Sequence, residues 1–213
     1  MKHITFYLDF ISPYAYLAFE QLPKALEGVS YSVDYRPVLF AGMLKHYSQL
    51  GPAEIAPKRD WTYRQVLWLA HRAGIPMQMP ASHPFNPLQL LRLAIACSPE
   101  SRFGLPNRYV CETLFRHVWR GGAQADDAQR LAALSQHLSP LFEVSSQQVK
   151  DQLKKNTEDA IALGVFGVPA LAVDDKLFWG LDSLPMLHAS LQGDAWFDAQ
   201  WSLAAKVGPG IKR

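Results

Sequence analysis

Apolar residues alternate from the first positions of the chain. Ile4, Phe6, Leu8 and Phe10 fall on one face and Tyr7 on the other. Both faces are largely apolar, which predicts a central strand over residues 2–10. The period then changes. Ser12 suits a helix N-cap and Pro13 the first helical position, and Ala18, Leu22 and Ala25 repeat at i, i+4, i+7. Pro23 falls inside that helix and is expected to kink it. "SYSVDYRPV", residues 30–38, alternates again and predicts a second strand. Strand, helix, strand implies a right-handed crossover and two parallel strands.

From about residue 58 to 163 almost every segment has helical periodicity, with Gly74, Pro76, Pro80 and Pro84 as punctuation. The last long helix, near 145–163, opens on Ser145 and Gln148, which read as a capping box. Strand chemistry returns in "PALAVDD" and "KLFWG", a hairpin turning at Asp174-Asp175-Lys176. Asp182 begins a final helix, "SLPMLHASLQ", and "KVGPGIKR" reads as a loose tail. A β-α-β half and an α-β-β-α half build one sheet flanked by helices, with the helical block inserted over one end. The expected division puts residues 1–40 and about 150–213 in the sheet domain and about 41–149 in the insertion. Sites in open α/β sheets lie at the carboxyl ends of strands. Ser12 sits at such an end.

Composition narrows the classes. The chain has 213 residues, 49% hydrophobic and 19% charged, which fits a soluble globular protein of one or two domains. Its net charge of +2 and lack of a basic block give no footprint for nucleic acid. Asp9 interrupts the N-terminal apolar run too early for a signal peptide, and no run approaches the ~18 apolar residues of a membrane span. A cytoplasmic location is the expectation. Cys97 and Cys111 have neither a C-x-x-C nor a zinc spacing and read as buried, reduced thiols. The seven histidines form no ligand pair, His71, His83 and His117 read as structural, and no metal is proposed.

Three stretches could carry chemistry. Ser12 is a helix cap in its plainest reading. The same place, a helix N-terminus with unpaired N–H groups and a positive dipole end, stabilises a thiolate. Ser12 would then donate to a sulfur rather than attack, since no neighbouring His or Asp activates it. "GVFGVPAL", residues 164–171, is a loop in its plain reading, or a cis-proline turn at Pro169. In the sharper reading Val168 turns its N–H and C=O outward to pair with an extended peptide. In "FWGLDSL", residues 178–184, Asp182 caps a helix, or with Ser183 holds an amino-acid-like group.

"FYLDFISPYAYLA", "HPFNPLQLLRLAIA" and "GVFGVPALAVDDKLFWGLDSL", in that order, resemble the 2-hydroxychromene-2-carboxylate isomerases, relatives of the kappa-class glutathione transferases within the DsbA-like thioredoxin folds. The resemblance spans essentially the whole chain. It implies an α/β thioredoxin-like domain with an inserted all-helical domain, glutathione as cofactor and a homodimer. Redox members have C-x-x-C where Ser12-Pro13-Tyr14-Ala15 stands here, so disulfide exchange at this place is excluded. By the same resemblance Ser12 hydrogen-bonds the glutathione thiolate, and Val168 clamps the cysteinyl part through its backbone. Trp179, Gly180, Leu181 and Asp182 hold the γ-glutamyl end. The family often has a polar residue where Leu181 stands, so only backbone contacts carry over there. The substrate, an aromatic carboxylate, needs a cation, for which Lys45, Lys58 and Arg59 are candidates beside their plain reading as surface charges. Phe85 and Asn86 match a site-lining position, and Tyr14, Trp61 and Trp68 could wall an apolar pocket. Core packing is the alternative for each aromatic.

The implied reaction is glutathione-dependent isomerisation of 2-hydroxychromene-2-carboxylate to trans-o-hydroxybenzylidenepyruvate in aromatic catabolism. The sulfur adds to the conjugated system and leaves after bond rotation. Two other classes stay open. A kappa-like transferase would consume glutathione, whereas an isomerase leaves free thiol constant. A non-catalytic DsbA-like binding protein would neither bind glutathione nor respond to Ser12→Ala.

Overall fold

The computed structural model describes residues 1–208 and 210. The alternating start forms β1 (Lys2–Leu8), and the Ser-Pro signal opens α1 (Pro13–Ala25). β2 (Tyr31–Pro37) returns parallel to β1, with Lys2 opposite Tyr31 and Leu8 opposite Pro37. Between β2 and the next strand the chain forms α2 (Phe40–His46), α3 (Ala56–Ala73), α4 (Leu88–Ala96), α5 (Arg108–Trp119), α6 (Ala128–Leu138) and α7 (Gln147–Ala162). β3 (Ala170–Val173) and β4 (Lys176–Trp179) form the hairpin, and the chain closes with α8 (Leu184–Leu191), α9 (Trp196–Ala199) and α10 (Trp201–Ala204). The sheet order is β2-β1-β3-β4, and β3 runs antiparallel to both neighbours. No described helix is long and apolar enough to cross a membrane.

Several expectations change in detail. β1 stops at Leu8 because the next four residues turn towards α1. The hairpin turn is Asp174-Asp175 alone, with Asp174 in the left-handed region and Lys176 already in β4. The cap of α7 is Ser146, whose Oγ accepts from the Val149 N–H, while Ser145 donates to Glu143 Oε1. The Ser145–Gln148 capping box is therefore one residue out of register. Asp182 does not cap α8: a 3₁₀ turn over Leu181–Ser183 precedes that helix, and no side chain caps it. Helical structure starts earlier than residue 58, at Phe40. The tail "KVGPGIKR" lies in part outside the described residues, and α9 and α10 precede it.

α1 runs on to Ala25 with Pro23 inside it. Proline has no N–H, so the Phe19 carbonyl, four residues back, lacks its helical donor. Arg108 on α5 supplies one: its Nη2 lies 3.3 Å from Phe19 O and its Nη1 lies 3.0 Å from the Tyr35 hydroxyl. The guanidinium also sits 4.2 Å from the centre of the Phe19 ring.

The main core joins α1 and β1 to the helical segment through Phe6, Phe10, Phe19, Phe115 and Trp119, all fully buried. Each such side chain contributes about 2–3 kcal/mol of transfer free energy. Phe10 meets Phe115 edge-on at 4.9 Å. Both cysteines are free. Burial pushes the Cys97 thiol up to about 11 and the Cys111 thiol higher, so neither is a thiolate at neutral pH.

Candidate active site at the first helix

The loop from Asp9 to Ser12 carries the candidate site, and its backbone is tied on every side. The Ser12 N–H donates to Asp9 O at 3.1 Å. Trp119 Nε1 donates to Phe10 O at 3.0 Å, and His83 Nε2 lies 2.8 Å from Ile11 O. Burial holds His83 below its ordinary pKa, with the Ile11 bond opposing it. The neutral ring therefore donates from Nε2, and its Nδ1 lies 2.8 Å from the Tyr63 hydroxyl. The Asp9 carboxyl is wholly buried and accepts from the Ile11 N–H at 3.1 Å and the Phe40 N–H at 2.9 Å. Burial pushes it up to about 7, although its backbone hydrogen bonds pull the other way.

At the helix start, Ser12 Oγ accepts from the Ala15 N–H at 3.2 Å and Ser12 O accepts from the Tyr16 N–H at 3.1 Å. Pro13 has no N–H. Among the described residues, the Tyr14 N–H is the first-turn donor that remains without an acceptor. The expected array of free amides is thus mostly spent on capping.

Ser12 and Val168 are brought together. The Val168–Pro169 bond is cis, and the Ser12 hydroxyl donates to Val168 O at 3.2 Å. This corrects the expectation that both Val168 polar groups face outward: the carbonyl is occupied by the nearest hydroxyl proton. The Val168 N–H has no acceptor among the described residues, and the residue is 8% exposed. Among the described residues, two amides of the segments that meet at the Ser12 hydroxyl thus lack acceptors, those of Tyr14 and Val168.

The turn after β4 completes this side. Gly180 donates to Pro169 O at 2.9 Å, next to Val168. Gly180 has φ +92°, and a Cβ there would lie 2.5 Å from Asp182 Oδ1. The Asp182 carboxylate therefore folds back over Gly180 instead of capping a helix. Leu181 is half-buried against the main core. Trp179 is 53% exposed and its ring lies 4.8 Å from Phe166. Its indole N–H covers Gly167, where a Cβ would meet Nε1 at 2.7 Å. Gly167→Ala is expected to swing the Trp179 indole off Gly167 with little loss of stability. Calorimetry and indole fluorescence check this.

Tyr14 faces α3 and donates to Gln65 Oε1 at 2.6 Å. Burial raises the phenol's pKa, hydrogen bonding with Thr62 opposes this, and the Asp182 carboxylate adds to it. The phenol stays protonated, between the Gly180 turn and α3. Trp61, one position from Thr62, is 63% exposed. Trp68 is exposed under the Arg72 guanidinium, 5.0 Å from its ring centre. Among the candidate cations, Lys45 is exposed in the last turn of α2 and Lys58 is exposed in the first turn of α3. Arg59 is half-buried, and its Nε lies 3.8 Å from Asp60 Oδ1. Phe85 is a core residue, 8% exposed and 6.1 Å from the His83 ring. Exposed Asn86 turns its Oδ1 to the Leu88 N–H at the start of α4. A hollow of about 550 Å³ lies elsewhere, beside β2, lined by Tyr31, Val33, Cys97, Arg102 and Arg108 among others.

A family model for the DSBA-like thioredoxin domain matches residues 3–192. The chain belongs to that family. It is 28% identical over 195 residues to a 2-hydroxychromene-2-carboxylate isomerase of Pseudomonas putida, covering 88% of this chain and 93% of the relative. It is 25% identical over 202 residues to glutathione S-transferase kappa 2 of Caenorhabditis elegans, covering 87% and 90%. A solved 2-hydroxychromene-2-carboxylate isomerase superposes with a TM-score of 0.76 at 24% identity, over 93% of this chain and 98% of that one. The DsbA-like thioredoxin fold is thereby shown, and the relatives matched along nearly the whole chain are enzymes by name. Asp9, Tyr63, His83 and Trp119 belong to the site's framework, yet periodicity and capping patterns do not single them out for it. An acid buried at the end of an apolar strand, in "FYLDF", is the one signal the sequence held.

Proposed function

We propose that the chain is a glutathione-dependent isomerase acting on 2-hydroxychromene-2-carboxylate or a closely similar aromatic carboxylate. The observation that carries this reading is the bond from the Ser12 hydroxyl to Val168 O at a helix N-terminus, beside two amides, Tyr14 N–H and Val168 N–H, that have no acceptor among the described residues. Such a place fits a peptide bearing a thiolate: the Tyr14 amide and the helix end favour the anion, and Val168 offers the donor half of a strand-like pairing. Bound glutathione would supply a nucleophilic sulfur that can both add and leave. The Ser12 hydroxyl has a single proton, so it would turn from Val168 O to the sulfur. Val168 O would then be free to accept from the peptide. Asp182 and the Gly180 turn would hold the γ-glutamyl end. The Tyr14 phenol and Gln65 would border the substrate side, with Arg59, Lys58 or Lys45 meeting the carboxylate. The relatives' names support the same class of chemistry. A homodimer is part of this reading.

Calorimetric titration with reduced glutathione tests it. Binding is expected, and Ser12→Ala should weaken it roughly tenfold to a hundredfold, the worth of a hydrogen bond to a charged sulfur. Ser12→Ala should also cost about 1 kcal/mol of stability through the lost cap. No binding to the native protein sinks the reading. Free thiol should stay constant while 2-hydroxychromene-2-carboxylate turns over; a fall would indicate a kappa-like transferase instead.

A further inference from the structure

We propose that Asp9 is a positioning residue that locks the Ser12 loop to the start of α2. The proposal rests on the reading of Ser12 as the sulfur-binding hydroxyl.

The argument begins with what α2 lacks. Its N-cap is Leu39, which has no capping side chain, so the first amides of this short helix need acceptors from elsewhere. Thr157 Oγ1 on α7 accepts from Leu39 N–H at 2.9 Å, and Asp9 Oδ2 accepts from Phe40 N–H at the same distance. The other oxygen of Asp9 accepts from Ile11 N–H, two residues along its own loop, and so shapes the turn that presents Ser12. Two amides, 29 positions apart in the chain, thus share one carboxyl group. The side chain is fully buried, so water cannot replace either bond.

This arrangement has a functional side because of what lies at its ends. One end is the loop carrying Ser12 and, just beyond it, the free Tyr14 amide. The other is α2, which carries Lys45, a candidate for the substrate carboxylate. A shift of about 1 Å between sulfur and substrate can cost about a hundredfold in rate. A carboxyl keeps lone pairs on both oxygens whether or not it is protonated. An amide does not: in Asp9→Asn one oxygen becomes an NH₂ group facing an N–H donor. That variant breaks one limb of the lock while nearly preserving volume.

Two variants test the proposal at pH 8. The first is Asp9→Asn. The second replaces Phe40 by its α-hydroxy acid, which removes that single N–H and leaves every side chain in place. Hydrogen exchange at Ile11 and Ser12, whose amides are bonded to Asp9, is expected to quicken about tenfold in both proteins. Quickening in the Phe40 variant is the decisive result, because the lost N–H is the one that meets Asp9, while the neighbouring link from Val38 N–H to Leu8 O keeps both its groups. Unchanged exchange in that variant overturns the proposal, whether or not glutathione binds. Failure of glutathione to bind the unaltered protein would instead strike the functional reading alone. With 2-hydroxychromene-2-carboxylate as substrate, kcat should fall about tenfold or more in Asp9→Asn. A loss of thermal stability with kcat, KM and exchange all unchanged would reduce Asp9 to a structural residue and overturn its positioning role.

Discussion

Gly180→Ala is expected to weaken glutathione binding at least tenfold and to lower the unfolding free energy by about 2 kcal/mol. Two constraints meet at this residue. Its backbone, at φ +92° and ψ 162°, lies where an L side chain is strained. Its Cβ would also meet Asp182 Oδ1 at 2.5 Å, so the carboxylate must leave its place over the turn. The damage cannot stay local. The Gly180 N–H holds Pro169 O, and Gly180 O accepts from both the N–H and the hydroxyl of Ser183. One added methyl would thus disturb the Asp182 end and the segment beside Val168 together.

Gly164→Ala separates strain from function. Gly164 also has a positive φ, +84°, but an added Cβ there meets nothing within 4 Å. That variant should lose about 1 kcal/mol from the backbone alone and bind glutathione as the native protein does. Calorimetry beside urea denaturation reads both quantities. Equal affinity in Gly180→Ala and the native protein would remove this turn from the site.

The parts of the fold that local chemistry determines were legible. Alternation, then Ser-Pro, then a helical period placed β1 and α1 because each signal acts within a few residues. The Asp-Asp turn between apolar runs placed the hairpin for the same reason. Features whose partners lie far along the chain were not legible. α2 starts at Phe40 because Asp9 and Thr157 supply its acceptors, and "FAGMLKH" holds no cap of its own. Pro23 could be read as a helix breaker, but Arg108, which serves the carbonyl it strands, comes 85 positions later. In "VSSQQV" two adjacent serines offer the same capping chemistry; the fold buries Val149 and caps it with Ser146, while Ser145 turns to Glu143. At the site, Ser12, Val168 and the Gly180 turn were readable through the family resemblance. The spending of the Ser12 proton on Val168 O was not, because it depends on how two distant loops meet.

The largest pH effect should come from Asp9, with a sign opposite to that of an ordinary salt-bridged acid. Folded, the carboxyl holds its proton up to about 7, because burial penalises its charge more than the backbone amides, those of Phe40 and Ile11 foremost, favour it. Unfolded, it releases the proton near 3.8. Between those values unfolding releases a proton, so raising the pH favours unfolding. The contribution is complete below 3.8, declines by about 1.4 kcal/mol per pH unit, and is lost above about 7. Its full span is on the order of 4 kcal/mol. His83 and His117 act the other way, since burial lowers both. Their stabilising contribution is present above their ordinary 6.5 and is lost as the pH falls through their folded values. Subtracting Asp9→Asn from the native protein cancels the histidines, because both proteins keep them. Urea denaturation at pH 5, 6, 7 and 8 should therefore show a difference that shrinks up to about pH 7 and then levels off. The offset of that difference also contains the hydrogen bond lost in the amide, so the slope is the diagnostic quantity. A difference that is flat from pH 5 to 8 would mean that Asp9 titrates alike in both states. Desolvation would then not dominate at the base of the Ser12 loop, and the amides of Ile11 and Phe40 would hold a carboxylate that is charged throughout.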